Sequence, residues 1–493
     1  MLKTNLLDKQ KVHIILTNVI CAFILFQPIF DLLSFLHIRE YISVGISTYA
    51  KPLIIGMINL VLIFTYKKQL LQCGITYGCY LVLMIVHSLL LKGMLIENSL
   101  ILHEIRFMIN ILYFLICYHD LRILHEEATD KKQFATQLKK VLIATFIFYI
   151  FLYLLSVFTG TASLTYEYSD ATKVGFKGWM DSGQIFGHAL CICLPFISTA
   201  ILNNKISSPL LRYLCKFGVV LPLTVLCMIG TKVSYYIAVL VIAIQVILEL
   251  FFAIRKKGNG HYINAAICLV CAVTCVLIYP LTPVKHNTDI NNYVLSIQPD
   301  EDKLEELLET EKDKHDLTDN DSDSNDHSNI EKPNMTEADK NAEWTGKALD
   351  LLQQKYANGT LHPADMRNRQ LFFNMEKFKL ADLKYKLFGI GYVFNGDMAI
   401  ERDVLCILFS FGIIGFLVVL LRPILLWIKS AFVLLKRLFK ADIETFALFE
   451  GFSMFFFISW YAGATFIYTN FSIFLSIIIC LLTYNINKTK TAN

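Results

Sequence analysis

Glu401, Arg402 and Asp403 stand in a row where "FGIGYVFNGDMAIERDVLCILF" (388–409) runs from a glycine-marked turn into an apolar stretch. Charges this close to hydrocarbon are expensive, so a functional role is the default expectation for them. Two kinds of chemistry suit the residue types. A carboxylate beside apolar surface has a raised pKa and can take a proton from a hydroxyl. Arg and Lys form charge-assisted hydrogen bonds to phosphate oxygens and neutralise a departing phosphate without a metal. Asp31, Lys51, His103, Glu104, Arg106, His188, Lys232 and Glu450 interrupt or border apolar blocks in the same way. The structural alternatives are snorkelling of Lys51 or Lys232 and ion pairs such as Asp31 with Lys51. For Asp403 the alternative is a helix N-cap, a position Asp favours.

The elements that must position these residues follow from composition. The chain has 493 residues, of which 55% are hydrophobic and only 17% charged, and the apolar residues fall in blocks. Twelve blocks stand at roughly 12–36, 44–65, 74–91, 99–118, 139–159, 183–203, 214–230, 233–254, 262–281, 404–427, 444–464 and 468–486. About 20 residues cross a hydrocarbon core of about 30 Å as a helix. Lipid tolerates helices rather than loops, because every backbone polar group needs a partner within the protein. The expected fold is therefore an all-α polytopic membrane protein with about twelve transmembrane helices. The first block is too long for a signal peptide and lacks a small-residue cleavage pattern, so it reads as a first span.

Lys and Arg set the orientation. They gather at the amino terminus (Lys3, Lys9, Lys11) and then at Lys67–Lys68, Lys131–Lys140, Arg255–Lys257, Lys436–Lys440 and Lys488. With twelve spans all of these fall on one side, which predicts that both termini are cytoplasmic. Asp31, Lys51, Arg106, His188, Lys232 and Glu401–Asp403 then share one depth near the outer face, and Glu450 lies near the inner end of its span. A basic, partly buried outer cavity suits an anion whose tail lies in lipid, such as a lipid-linked phosphate or pyrophosphate.

The chain divides into spans one to nine (1–281), a long extracytoplasmic loop (282–402), and spans ten to twelve with a cytoplasmic tail (403–493). Within the loop, 299–343 is acidic: from Asp300 to Glu343 there are 17 Asp and Glu against 5 Lys and Arg. That composition predicts disorder. The rest of the chain holds 24 acidic and 40 basic residues, so the membrane body is strongly basic. Asp319, Asp321 and Asp323 approach a calcium loop, but Ser324 stands where Gly is needed and Ile330 where Glu is needed, and a solvated spacer fits better. Residues 344–387 read as helical. One helix closes at Gly359, and a second carries Pro363 in its first turn and a Leu371, Met375, Phe378 stripe able to lie on the membrane domain. The G-x-G at 389–391 lacks the βαβ context of a dinucleotide site. Cys268, Cys271 and Cys275 share a helical face with no His or carboxylate beside them, so packing rather than metal binding is expected.

Four stretches carry a family resemblance. They are "GWMDSGQIFGHALCICLPF" (178–196), "MIGTKVSYYIAVL" (228–240), "MRNRQLFFNMEKFK" (366–379) and "KLFGIGYVFNGDMAIERDVLCILFSFGIIGFL" (386–417). In this order, with twelve spans and one long loop before span ten, they resemble the O-antigen ligase/O-antigen polymerase superfamily of GT-C-type membrane glycosyltransferases. The resemblance implies a glycan donor on undecaprenyl pyrophosphate, presented at the outer leaflet of a bacterial plasma membrane, and a glycan acceptor. It implies an inverting transfer with no cofactor and no obligatory metal. Lys232 takes the place of the family's basic residue after Thr or Ser. Arg369 takes the place of the Arg in a Gly-Arg pair, with Asn368 preceding it here. Arg367 is the competing candidate: two residues apart on a helix, the two point to nearly opposite faces. Together with Arg106 and Arg402 these residues form the expected pyrophosphate-binding set. Glu401 or Asp403 falls where many ligases have a His, so which carboxylate handles the proton stays open. The Glu-x-Asp resembles a branch of surface-polysaccharide polymerases, which favours polymerase over ligase.

The main alternative is a transporter, such as a flippase of lipid-linked oligosaccharide. Transporters often carry internal repeats and midplane sites; no repeat is visible and the charges sit near the outer edge. The expected partners are the lipid-linked donor, the acceptor, membrane lipid and other polysaccharide-assembly proteins, and no nucleic acid.

Overall fold

Apolar blocks become helices throughout the described chain, because each can bury its backbone only by internal hydrogen bonding. A computed structural model describes residues 2–43, 45–94, 98–167, 172–204, 206–256, 259–297, 336–392, 398–463 and 468–491. The helices are α1 (Leu2–Leu25), α2 (Gln27–Ile38), α3 (Ile46–Thr65), α4 (Lys67–Lys92), α5 (Asn98–Glu127), α6 (Lys131–Phe158), α7 (Gly183–Leu202), α8 (Pro209–Lys216), α9 (Val220–Met228), α10 (Lys232–Lys256) and α11 (Asn259–Ile278). Among the described residues, four helices follow before span ten: α12 (Pro283–Ser296), α13 (Glu337–Ala357), α14 (Met366–Leu380) and α15 (Leu383–Phe388). The chain closes with α16 (Asp403–Lys436), α17 (Ile443–Tyr461) and α18 (Thr469–Thr491). Among the described residues, 11 helical segments are long and apolar enough to cross a membrane, and there are 12 if the bent pair α1–α2 counts as one span. The 47° bend falls just before Pro28, which cannot donate to the ladder, and the Gln27 side chain donates to Phe23 O (2.9 Å) at the break. The protein is an all-α polytopic membrane protein.

Among the described residues, one small sheet departs from pure helix. β1 (Ser163–Leu164) pairs antiparallel with β2 (Phe176–Gly178) in the connection between α6 and α7. At the centre of the bundle, α7 is buried along nearly its whole length, packed on α10, α17 and α18. Its amino end is capped by Ser182, whose hydroxyl accepts from Ile185 N (3.5 Å).

Of the acidic stretch 299–343, residues 299–335, with the calcium-like Asp319–Asp323 run, lie outside the described residues. The remainder corrects the expectation of disorder: α13 begins at Glu337, not at Trp344. Thr336 and Asp339 form a reciprocal capping box, and Glu337 and Asp339 place negative charge in the first turn, where the helix dipole favours it. Pro363 also moves: it sits in the turn before α14, whose cap is Asp365. The expected stripe does lie on the membrane core, where Leu371, Met375 and Phe378 pack and Phe378 meets Phe409 edge-on at 5.2 Å. A second contact joins Leu91 and Met94 at the end of α4 to Trp344, Tyr385 and Ile390.

Candidate functional site

The G-x-G turn is built into span ten. Gly412 interrupts α16 with φ 69°, ψ −173°, so carbonyls just before it lose their helical partners. The turn supplies new ones: Ile390 N donates to Phe409 O (2.9 Å) and Gly391 N to Ser410 O (3.2 Å). The helix does not end at Gly412–Gly415 but continues to Lys436. The same turn is latched to α4 and α5. His87 bridges Phe388 O (2.7 Å) and the Glu104 carboxylate (3.1 Å), and Tyr392 N donates to Glu104 at 2.9 and 3.1 Å. The Tyr392 ring stacks on Phe107 with centroids 3.9 Å apart.

This docking places the row of charges. Glu401 faces Arg367 (3.5 Å), and its backbone rests against Gly463, where a Cβ would collide with the Glu401 carbonyl. Arg402 donates to Asn368 Oδ1 (3.0 Å). Asp403 is only 2% exposed. It is the first residue of α16 rather than its cap: the cap is Arg402, which makes no side-chain capping bond. Arg367 also lies within electrostatic reach of Tyr166 and His188. Burial raises the Tyr166 phenol pKa, and the Arg367 charge opposes the rise. The structure thus turns Arg367 toward Glu401. The side chain of Arg369, half-buried, makes no hydrogen bond or ion pair among the described residues, and its Nε is enclosed.

Lys232 opens α10 at the turn after α9. Thr231 caps that helix by bonding Ser234, and the loop before β2 presses on the turn. Gly175 and Gly230 touch so closely that a Cβ on either would strike the other strand of backbone, and Asn287 ties Val174 to Gly230 O (2.6 and 2.9 Å). Thr165 and Tyr166 donate to Ile229 O and Gly230 O (2.7 and 3.5 Å), which brings the surroundings of Arg367 to this turn. Lys232 is half-buried and has no hydrogen-bond or ion-pair partner among the described residues. His188 is 1% exposed, with both ring nitrogens unpartnered among the described residues.

Beside this cluster lies a cavity of about 620 Å³, lined by Asp31, Lys51, Arg106, Asp181, Tyr468 and Asn470 among others. Arg106 is exposed there, without a hydrogen-bond or ion-pair partner among the described residues. Lys51 is not free. Its Nζ donates to Asp31 Oδ1 (3.0 Å) and Asn470 Oδ1 (2.5 Å), while Tyr149 donates to Asp31 Oδ2 (2.7 Å) and Asn470 also bonds Asp31. The pairing weighed from sequence is therefore realised. Lys51→Met should destabilise the fold by about 3–5 kcal/mol, because a buried carboxylate loses its cation, and adding Asp31→Asn should restore much of the loss. Thermal unfolding of both variants in detergent checks this.

Among the sequence-derived residues, Arg367, Glu401 and Arg402 meet at the loop–bundle junction. The turn before Lys232 is tied to their surroundings by Tyr166, which donates to Gly230 O and feels the Arg367 charge, and Arg106 lines the cavity. Tyr468 lies between the two regions: burial, then the charges of Asp181, Asp403 and Glu401, raise its phenol pKa. Asp181, Tyr468 and Asn470 escaped notice. Asp181 had a signal, an acid in the tight turn entering span six, whereas a neutral Tyr and Asn at a span end carry none. Glu450 sits apart, accepting from Gln245 (3.1 Å) inside the bundle. Cys268, Cys271 and Cys275 are buried free thiols.

A family model described as O-antigen ligase like membrane protein matches residues 15–489. No curated protein matches the chain.

Proposed function

We propose, from the premise that this chain belongs to the O-antigen ligase-like family of membrane proteins, that it is a glycosyltransferase polymerising oligosaccharide units carried on undecaprenyl pyrophosphate. Three cations support this most directly. Lys232, Arg369 and Arg106 stand at the loop-bearing end of the bundle with no hydrogen-bond or ion-pair partner among the described residues. Unpaired cations at a membrane boundary favour an anion, and a pyrophosphate whose lipid tail stays in the bilayer meets that demand. In the transfer, an acceptor hydroxyl attacks the anomeric carbon from the side opposite the phosphate, which inverts the linkage. Negative charge then develops on the leaving pyrophosphate, where these cations stabilise it.

Arg367 and Arg402 contribute through position. Paired with Glu401 and Asn368, they hold α14 over the amino end of α16. The Lys- and Arg-rich connections collect at the opposite end of the bundle, where Arg255 donates to Ala441 O (2.7 Å) and Lys139 pairs with Glu444. That distribution favours placing the loop-bearing end outside and both termini in the cytoplasm. The cavity opens at one end of the bundle rather than at its middle, which favours an enzyme over a transporter. The Glu401-Arg402-Asp403 sequence resembles that of surface-polysaccharide polymerases and favours polymerisation over ligation.

Vesicles holding the purified protein and a lipid-linked repeat unit alone should yield a ladder of products. Product only on adding a second acceptor would reassign the protein as a ligase. No transfer under either condition would refute the proposed activity.

A further inference from the structure

The transfer needs a group that takes the proton from the attacking hydroxyl, and the carboxylates at the loop-bearing end differ sharply in their freedom to do so. Asp31 already accepts from Lys51, Tyr149 and Asn470. Glu104 is occupied by His87 and the Tyr392 amide. Glu167 is held by Arg39 at 2.7 Å. Glu401 faces Arg367, and Asp403 is buried at the start of α16 and does not line the cavity. Asp181 is different. It lines the cavity and is exposed to it, and among the described residues its carboxylate makes no hydrogen bond or ion pair. Its main-chain carbonyl accepts from Lys177 Nζ (3.1 Å). The turn that carries it is fixed on both sides: β2 precedes it, and Ser182 caps α7 directly after it.

The cavity also has the character of a sugar site. Its wall mixes hydroxyls and amides with two tyrosines, and Tyr49 presents 73% of its surface. An aromatic face beside hydrogen-bonding groups suits a pyranose, which has apolar CH faces and a polar rim.

We infer that this cavity receives the acceptor end of the glycan and that Asp181 is the residue that accepts the proton from its attacking hydroxyl. The hydroxyl oxygen forms the new bond to the anomeric carbon, and the carbon–oxygen bond to the pyrophosphate breaks with its electron pair leaving on the phosphate. The hydroxyl proton passes to Asp181 and from there to water. This assignment rests on the proposed transferase activity and deepens it by naming the acceptor side. Electrostatics suits the role. Desolvation by the cavity walls, reinforced by Asp31 and opposed by Lys51 and Lys177, holds the Asp181 carboxyl above the usual carboxylate range. Such a carboxylate is a stronger base than an ordinary one once ionised.

The test uses the full-length protein in vesicles with a lipid-linked repeat unit. Asp181→Asn should lower kcat by about 10²-fold or more, leave binding of the lipid pyrophosphate unchanged, and remove the acidic limb of the pH–rate profile. The charged and titratable groups facing Asp181, namely Asp31, Lys51, Arg106, Lys177 and Tyr468, remain in that variant. Asp181→Glu should recover part of the rate, which separates chemistry from misfolding. Tyr49→Ala should raise the acceptor KM about threefold to tenfold with little change in donor KM. Wild-type rate in Asp181→Asn, or a loss of donor binding equal to its loss of rate, would overturn the assignment while leaving the transferase activity standing. Absence of transfer by the wild-type protein would overturn both.

Discussion

Arg369→Ala and Lys232→Ala should each cut glycan transfer by about 10²- to 10³-fold while folded protein is recovered at the wild-type yield. The two halves of that expectation have one cause. Neither cation has a hydrogen-bond or ion-pair partner among the described residues, so removing either leaves no orphaned carboxylate behind. The stability cost is therefore small, unlike that of Lys51, whose loss strands Asp31. On the proposed reaction the catalytic cost is large, because the charge these cations would face grows as a pyrophosphate departs. Removing one preorganised group aimed at developing charge costs about 3–4 kcal/mol in other enzymes. For the same reason kcat should fall more than donor affinity. Initial rates and donor binding, measured on the same preparations, check both. Wild-type rates in both variants would remove these residues from the leaving-group site.

Gly389→Ala and Gly412→Ala should each prevent correct docking of helices α14 and α15 on the bundle and lower the thermal midpoint by about 5 °C or more. Both glycines have left-handed backbones, φ 96° and 69°, which cost an L-residue about 1–2 kcal/mol. Space is the larger constraint. A Cβ on Gly389 would strike the Ser410 carbonyl, and one on Gly412 would strike Leu387, so backbone meets backbone on both sides and no side chain can swing away. Relief would require pulling the turn out of the helix break, which would forfeit the bonds from Ile390 and Gly391 and loosen Glu401 and Arg402 with them. Gly346 is the control. It lies inside α13 with nothing near its Cβ position, so Gly346→Ala should be neutral or slightly stabilising. Size-exclusion thermostability of the three variants separates the cases. A Gly412→Ala protein as stable as wild type would show that the break is dispensable.

Particular residues show where sequence reasoning succeeded and where it stopped. The Leu371, Met375, Phe378 stripe was legible because helical spacing puts those side chains on one face and that face needs apolar contact. The start of α13 at Glu337 was legible in Thr336-x-x-Asp339, but acidic composition outweighed the cap. The geometry of α14 separates Arg367 from Arg369, yet which of them turns to Glu401 depends on how the stripe seats the helix. The glycines at 389 and 391 read as marking a turn that leads into span ten. They are also a plug that completes the hydrogen bonding of a broken span, and nothing local to 388–392 reports the break at Gly412.

The sequence alone determined the all-helical membrane fold and the order of its spans. Those features follow from each segment's own transfer energy between water and lipid, which depends on local composition. Only the tertiary structure decided which charges are neutralised and which stay free. Lys51 is spent on Asp31 and Glu401 faces Arg367, while Lys232, Arg369 and Asp181 are left without a side-chain polar partner among the described residues. Coulomb interactions act across spans that are distant in sequence, and their strength depends on separations of a few ångströms that no linear pattern records.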